Sequence, residues 1–302
     1  MKNLIKKLSE NLNSKFYLDY STFNKVWLKA GGKTKFFCLV YDQKELEIII
    51  NNIGDFPYEV IGAGSNFLVR DGGYEGIIFK LGKNFNQIIL NESYVEVGSG
   101  ILDINFSKFA YKNILKDFEF FSGIPGTIGG AIKMNAGCYG SETRDNLNKI
   151  KILNSKGKIE ILNNDKIKLS YRNSNLDSRD IVISAYFNYN YGDSEEIKKK
   201  IQMIKKMRIK SQPLKEKTSG STFKNPNNFY AAKLIEDSGC KELNVGDAYV
   251  SQKHANFLIN IDKATATEIE ELGKKIIDRV YNQFKIKLDW EIKIIGNQCN
   301  EK

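Results

Sequence analysis

Hydrophobic and polar positions follow two rhythms along this chain. A helical rhythm opens it. The start, "MKNLIKKLSENL", is basic and amphipathic, and "DQKELEIIINNI" at 42–53 puts its apolar residues on one face. The same period predicts a helix near Leu102–Asn113 and another over 194–210. In the latter, Ser194 is a cap followed by Glu195 and Glu196, and Ile197, Ile201, Ile204 and Met207 form an apolar stripe among lysines. After Thr265, "TATE" has capping-box spacing, and Ile269, Leu272, Ile276 and Val280 line one face.

Between these segments lie short runs of strand type. "FFCLVY", "YEVIG", "FLVR", "GIIFKL", "YVEVGSG", "KIKIL", "KIEIL" and "DIVISAYFNY" are separated by Gly, Asn and Asp. "NSKG" at 154–157 joins two of them as a hairpin connection. A last strand, "LDWEIKII", closes the pattern. The expectation is an α+β chain in three parts: a small N-terminal part over 1–55, a strand-rich part over 56–192 and a mixed C-terminal part over 193–302. The last strand, 287–296, is a candidate to pack back on the preceding part.

Composition narrows the class. The 302 residues are 41% hydrophobic and 27% charged, which is ordinary for a globular chain long enough for a substantial core. No apolar run reaches the roughly 18 residues of a membrane span. The N-terminal stretch lacks a long apolar run and a small-residue cleavage site, so it reads as a surface helix and not a signal peptide. Cys38, Cys138, Cys240 and Cys299 are scattered and His254 is the sole histidine, which argues against zinc and a disulfide framework and fits a reducing cytoplasm. The net charge of +10 is a solvated lysine surface or an attraction to anions; no nucleic-acid motif accompanies it.

Three glycine clusters carry the candidate chemistry. "AGGKT" at 30–34 looks like the end of a P-loop, but Trp27 stands where that motif needs its first glycine, so a turn is the better account. "GAGSNFLVRDGG" at 62–73 follows a strand, yet Phe67 replaces the third glycine of a Rossmann fingerprint and the segment leads into another strand. It is either a plain turn or a nest of backbone N–H groups for an anion. "SGIPGTIGGAIKMNAGCYG" at 122–140 has six glycines beside apolar Ile124, Ile128 and Ile132, the pattern of backbone pressed against something flat or anionic. Two such loops about sixty residues apart point to one extended ligand of the length and charge of a dinucleotide such as FAD. A further stretch, "SGSTFKNP" at 219–226, reads as a turn, an anion cradle or the seat of a reactive serine.

With "LSYRNS" at 169–174, "VSQKHANFLIN" at 250–260 and "WEIKIIG" at 290–296, these fragments fall in an order that resembles the UDP-N-acetylenolpyruvoylglucosamine reductase family over nearly the whole chain. The resemblance implies an FAD-binding module of the vanillyl-alcohol-oxidase (PCMH) type, with 1–55 as its N-terminal part and 56–192 as its body, followed by a substrate-binding domain over 193–302. It implies non-covalent FAD, NADPH as reductant and UDP-N-acetylglucosamine enolpyruvate as substrate, in a cytoplasmic step of peptidoglycan precursor synthesis, without metal, membrane or nucleic-acid partner; a monomer is compatible with it.

Carried over by position, the catalytic arginine is Arg172, the proton-donating serine is Ser221 and the catalytic glutamate is Glu291. Lys224 and Asn225, with Tyr171, fall where the family contacts substrate. The FAD loops correspond to Gly62, Ala63, Gly64, Ser65, Asn66, Phe67 and Leu68, to Ile124, Pro125, Gly126, Thr127, Gly129, Gly130 and Ala131, and to Asn135, Ala136, Gly137, Tyr139 and Gly140. Nine residues separate Arg172 from Val182, too few for the tyrosine-bearing loop of one branch, so the chain resembles the shorter branch. Trp290 replaces the usual proline before the glutamate, and Cys138 stands where a small residue is common.

The implied chemistry explains these residue types. Hydride addition at C3 of an enolpyruvyl ether builds negative charge at C2 and on the carboxylate. A permanently charged arginine grips that carboxylate with two parallel bonds. A carbanion-like C2 is basic enough to take a proton from a serine hydroxyl. Glu291 either bonds the enolate as a protonated acid or orients the site as a carboxylate; its burial decides. His254 is expected to be structural.

Overall fold

The computed structural model describes residues 1–299. Its α-helices among these are α1 (Lys2–Asn11), α2 (Gln43–Ile53), α3 (Asp103–Lys112), α4 (Ile128–Met134), α5 (Ser194–Ser211), α6 (Ala231–Asp237) and α7 (Ala266–Phe284). The capping box read at Thr265 is there: Thr265 and Glu268 bond reciprocally at the start of α7, and Asp42 likewise accepts the Glu45 N–H at the start of α2. The cap read at Ser194 is one residue off: Ser194 is the first residue of α5, and the Asp193 side chain accepts the Glu196 N–H at 2.9 Å. Among the described residues no helix is long and apolar enough to cross a membrane.

The chain forms two compact units, each discontinuous in sequence. The first holds Met1–Tyr17, Phe37–Ala63 and Gly76–Met207; the second holds Leu18–Phe36, Gly64–Glu75 and everything from Arg208 onward. Their limits differ from the linear parts read at 55 and 192: residues 18–36 and 64–75 gather with the C-terminal chain, and the first unit runs on to Met207.

The first unit is organised by a five-stranded antiparallel sheet, ordered Ile159–Asn163, Leu147–Leu153, Ile181–Phe187, Val95–Gly98, Ile88–Leu90. The hairpin expected at 154–157 is there: Gly157 N–H donates to the Asn154 carbonyl, and Gly157 takes φ +71°. One face of the sheet is covered by α3 and α4, and four phenylalanines, Phe106, Phe118, Phe121 and Phe187, pack there with ring centroids 4.9–5.9 Å apart. A second anchor lies at α2. Glu45 is buried, and its carboxylate accepts four bonds, from the N–H and side chain of both Asn13 and Ser14, at 2.6–2.9 Å.

The second unit has a four-stranded sheet ordered Lys217–Thr218, Leu258–Asn260, Ala248–Val250, Asn244–Val245. The stripe Ile269, Leu272, Ile276 and Val280 of α7 is fully buried in a core that also contains Leu28, Leu68, Phe223 and Leu288. Phe67–Val69 pairs in parallel with Lys293–Ile295, so the end of the chain adds a strand beside the segment that follows Gly64. Two side chains lock this segment further. Arg70 grips buried Glu270 through Nε and a terminal nitrogen at 2.8 and 3.0 Å, and the Asp71 carboxylate accepts the Ala266 and Thr267 N–H groups at the start of α7. The glycines of "AGGKT" are packed tight here: a Cβ on Gly31 would lie 2.4 Å from the Val69 carbonyl oxygen. A turn, not a phosphate cradle, is what they form.

Candidate active site

The expected site residues fall into two sets, one in each unit. In the first unit the two glycine loops meet. A Cβ on Gly62 would stand 2.5 Å from Thr127 Oγ1, so Thr127 lies directly against the end of the first loop. The second loop is strapped to the segment before α3: Asp103 N–H donates to the Gly126 carbonyl, Ile128 N–H to that of Ile101 and Gly129 N–H to that of Ser99. Contrary to a loop throughout, Ile128–Met134 is helix α4, started by Thr127. A Cβ on Gly130 would meet only Thr127 Oγ1, at 3.7 Å, and one on Gly140 would meet nothing within 4 Å. Open faces on glycine backbone beside a helix start fit a flat, phosphate-bearing cofactor. Pro125 and Ile124 lie half-buried at the loop's entry, and Ala131 and Ala136 are core.

Asn135 has its side chain engaged within the fold. It ends α4 in the left-handed region (φ +43°) and is completely buried; its amide donates to Glu142 Oε2 and the Ser170 carbonyl and accepts from Arg144 N–H. Its side chain holds the turn. Gly137–Cys138 then pairs with Ser141–Glu142 around a two-residue turn, Tyr139–Gly140, both at positive φ, as a type I′ hairpin requires.

Arg172 also sits on a tight hairpin. Leu169–Ser170 pairs with Asn173–Ser174, leaving Tyr171 and Arg172 as the turn. Arg172 takes φ +51°, a region that favours glycine. Its guanidinium donates to the Gly137 carbonyl at 2.9 Å and stacks over the Tyr171 ring at 5.1 Å.

In the second unit Gly64 takes φ +74°, and a Cβ there would be 1.9 Å from the Lys25 carbonyl oxygen, so only glycine fits. Half-buried Ser65 follows, and Phe67 and Leu68 point into the core. Asn66 ties this loop to the segment carrying Glu291: its amide donates to the Glu291 carbonyl at 2.9 Å, and its own carbonyl accepts the Lys293 N–H. Glu291 is not on the regular strand expected for "LDWEIKII"; that strand is Lys293–Ile295 only. Instead Phe223 and Trp290 form an isolated antiparallel bridge, with Glu291 N–H donating to the Thr222 carbonyl and Lys224 N–H to that of Asp289. The segments bearing Ser221, Lys224 and Glu291 are therefore laced together through the main chain. Ser221 is half-buried beside Gly220, which takes φ +75°, while Ser219 is buried with its hydroxyl unpaired. The Asn225 side chain accepts the Ala231 N–H at the start of α6.

Both departures from the family pattern have local explanations. The Trp290 indole lies against α7 where Gly273 leaves space and meets the Phe223 ring at 5.0 Å. Cys138 fits because its sulfur lies 2.7 Å from where a Gly123 Cβ would be, and it donates to the Phe120 carbonyl.

Comparison with known proteins decides the family. Residues 212–295 match the C-terminal domain of UDP-N-acetylenolpyruvoylglucosamine reductase, and residues 37–163 match an FAD binding domain. A UDP-N-acetylenolpyruvoylglucosamine reductase of Rickettsia conorii is 41% identical over 279 residues, covering 92% of this chain and 95% of its own. The chain belongs to the UDP-N-acetylenolpyruvoylglucosamine reductase family. The Rickettsia typhi member is 40% identical over 286 residues, covering 94% of this chain and 97% of its own. The crystal structure of the family's Thermus caldophilus member superposes with a TM-score of 0.82 at 30% identity, covering 94% of this chain and 99% of that one. The α+β architecture with a flavin module and a family-specific C-terminal domain is thereby shown for this chain, as is its class, an FAD-dependent oxidoreductase.

Proposed function

We propose that this chain reduces UDP-N-acetylglucosamine enolpyruvate to UDP-N-acetylmuramate, with NADPH as reductant and non-covalent FAD, in the synthesis of peptidoglycan precursors. The observation that carries the reading is 41% identity to a named reductase across 92% of the chain. Bound FAD supplies the hydride relay between NADPH and C3 of the enolpyruvyl group.

The chain's own residues do the rest. The backbone of Gly62–Leu68, Ile124–Ala131 and Asn135–Gly140 holds the cofactor. Arg172 pairs with the substrate carboxylate and carries the negative charge that develops there. Ser221 gives its hydroxyl proton to C2, which completes saturation of the double bond. Glu291 acts on the same enolate, and Lys224, Asn225 and Tyr171 hold the anionic substrate. What supports these roles is the strained turn at Arg172 and the main-chain lacing of Ser221 to Glu291. In this reading the +10 charge serves anionic UDP-sugar and NADPH, and the enzyme works in the cytoplasm without nucleic acid.

The test is spectroscopic. The purified protein carries a flavin absorbance band or takes up FAD; under anaerobic conditions NADPH bleaches it and the UDP-enolpyruvyl sugar restores it. A protein that neither carries nor accepts flavin overturns the reading.

A further inference from the structure

Asn256, in the middle of "KHANF", is almost completely buried (3% exposed). Its amide brackets a single residue: Nδ2 donates to the Phe223 carbonyl at 2.8 Å, and Oδ1 accepts the Phe223 N–H at 3.0 Å. Its main-chain carbonyl accepts the Thr222 N–H at 2.8 Å. Thr222 and Phe223 are the two residues that follow Ser221.

The geometry explains why an amide is needed there. Residues 222–224 behave as a one-residue strand. On one edge they bond to 289–291, through the Thr222 carbonyl and the Lys224 N–H. In such a pair the central residue, Phe223, turns its own N–H and C=O to the opposite edge. Among the described residues no strand pairs with Phe223 on that edge, and the Asn256 side chain takes its place with one acceptor and one donor. An ordinary buried asparagine satisfies itself on whatever groups are near. This one completes the ladder of the segment that carries Ser221.

Asn256 is itself braced. Its N–H donates to His254 Nδ1 at 3.3 Å, the His254 ring meets Phe257 at 4.6 Å, and the Leu258 N–H returns to the Thr222 hydroxyl. The sole histidine is thus a turn residue and not a catalytic base.

We infer that Asn256 is the positioning residue for Ser221, fixing the serine hydroxyl for protonation of C2; the inference rests on the proposed role of Ser221. The experiment uses the FAD-loaded full chain and follows the two half-reactions by anaerobic stopped flow. For Asn256→Ala, flavin content and the rate of reduction by NADPH stay within about twofold of wild type, while reoxidation by the UDP-enolpyruvyl sugar slows at least about tenfold at saturating sugar, the scale of a small displacement of a reacting group. Its solvent isotope effect rises, because proton transfer becomes limiting. Adding Asn256→Ala to Ser221→Ala slows reoxidation no further, as expected of residues acting as one unit.

Asn256→Asp is a variant of the same size and carries the test if the alanine variant does not fold. An ionised carboxylate repels the Phe223 carbonyl, and a protonated one donates to it again, so reoxidation recovers as pH falls. Equal slowing of both half-reactions, a full additional loss in the double variant, or no recovery at low pH overturns the inference. If Ser221→Ala alone reoxidises at the wild-type rate, it is the proposed role of Ser221 that fails.

Discussion

Gly273 of α7 and Trp290 are fitted to one another: a Cβ on the glycine would sit 2.1 Å from the indole Cη2. Glycine in a helix interior costs about 1 kcal/mol relative to alanine, so the position is unfavourable by itself. It is explained by the large ring packed over it, which stands directly before Glu291. Gly273→Ala, a change that helps an exposed helix, is expected to destabilise here by about 1–3 kcal/mol through overpacking. Urea unfolding measures it. Trp290→Ala combined with Gly273→Ala recovers most of the Gly273→Ala loss relative to Trp290→Ala alone, since the clash is then gone.

Ser221→Ala separates the two half-reactions. NADPH still bleaches the flavin at close to the wild-type rate, because hydride transfer to the cofactor needs no proton from this residue. Reoxidation by the UDP-enolpyruvyl sugar falls by about 10²–10⁴, the usual weight of a positioned acid. Stopped-flow absorbance at the flavin band reads both rates.

Arg172 allows stability and activity to be pulled apart. Its φ of +51° is one that glycine adopts without strain. Arg172→Gly therefore leaves the melting temperature within a few degrees of wild type, as lost contacts and relieved strain offset each other. It slows reoxidation by about 10²–10³, the scale of removing one charge-stabilising group. Arg172→Lys keeps the charge, loses the two-pronged grip and falls between the two.

Stability falls in acid in two steps. Burial holds the His254 imidazole below its usual value, where it stays neutral with Nδ1 accepting from Asn256. The unfolded chain then binds the extra proton below about pH 6.5, so this contribution is complete above that pH and is lost as pH falls toward the folded value. Burial pushes the Glu45 carboxyl up, but its four bonds from Asn13 and Ser14 outweigh that and bring it below its usual value. Its contribution is complete above about pH 4.3 and disappears as pH falls through the lower folded value. Melting temperature followed from pH 8 to pH 3 shows both steps, about the range spanned by the two ordinary values. His254→Gln removes the first step, and Glu45→Gln removes the second.

Local signals in the sequence account for much of this architecture. The Asp42 and Thr265 caps, the apolar stripe of α7 and the hairpin ending at Gly157 depend on residues within a few positions of one another. Helix α4 escaped the same reading because Gly129 and Gly130 are poor helix formers. Bonds to Ser99 and Ile101, about thirty residues upstream, hold the start of that helix in place. The strand Lys293–Ile295 pairs with Phe67–Val69, and no local pattern reports a partner more than two hundred positions away. Glu291 was singled out by family position alone, and its setting was not legible: its main chain is fixed by bonds to Thr222 and Asn66 instead of a long strand. Asn256 gave no signal beyond its place in a motif, because a buried amide and an exposed one look alike in sequence.

The lacing around Ser221 and Glu291 also bears on inhibitor design. Where the lace is backbone to backbone, as at Asp289, whose carbonyl accepts the Lys224 N–H, the bond does not depend on which side chain the residue carries. Trp290 in place of the family's proline is already a change of side chain in this segment. Asn66 and Asn256 are the opposite case, since there the side chain is the bond. Resistance to a compound bound near Ser221 should therefore arise first at the neighbours whose main chain alone is engaged. A compound whose contacts are limited to the proposed catalytic groups leaves the protein few substitutions that evade it without loss of its own chemistry.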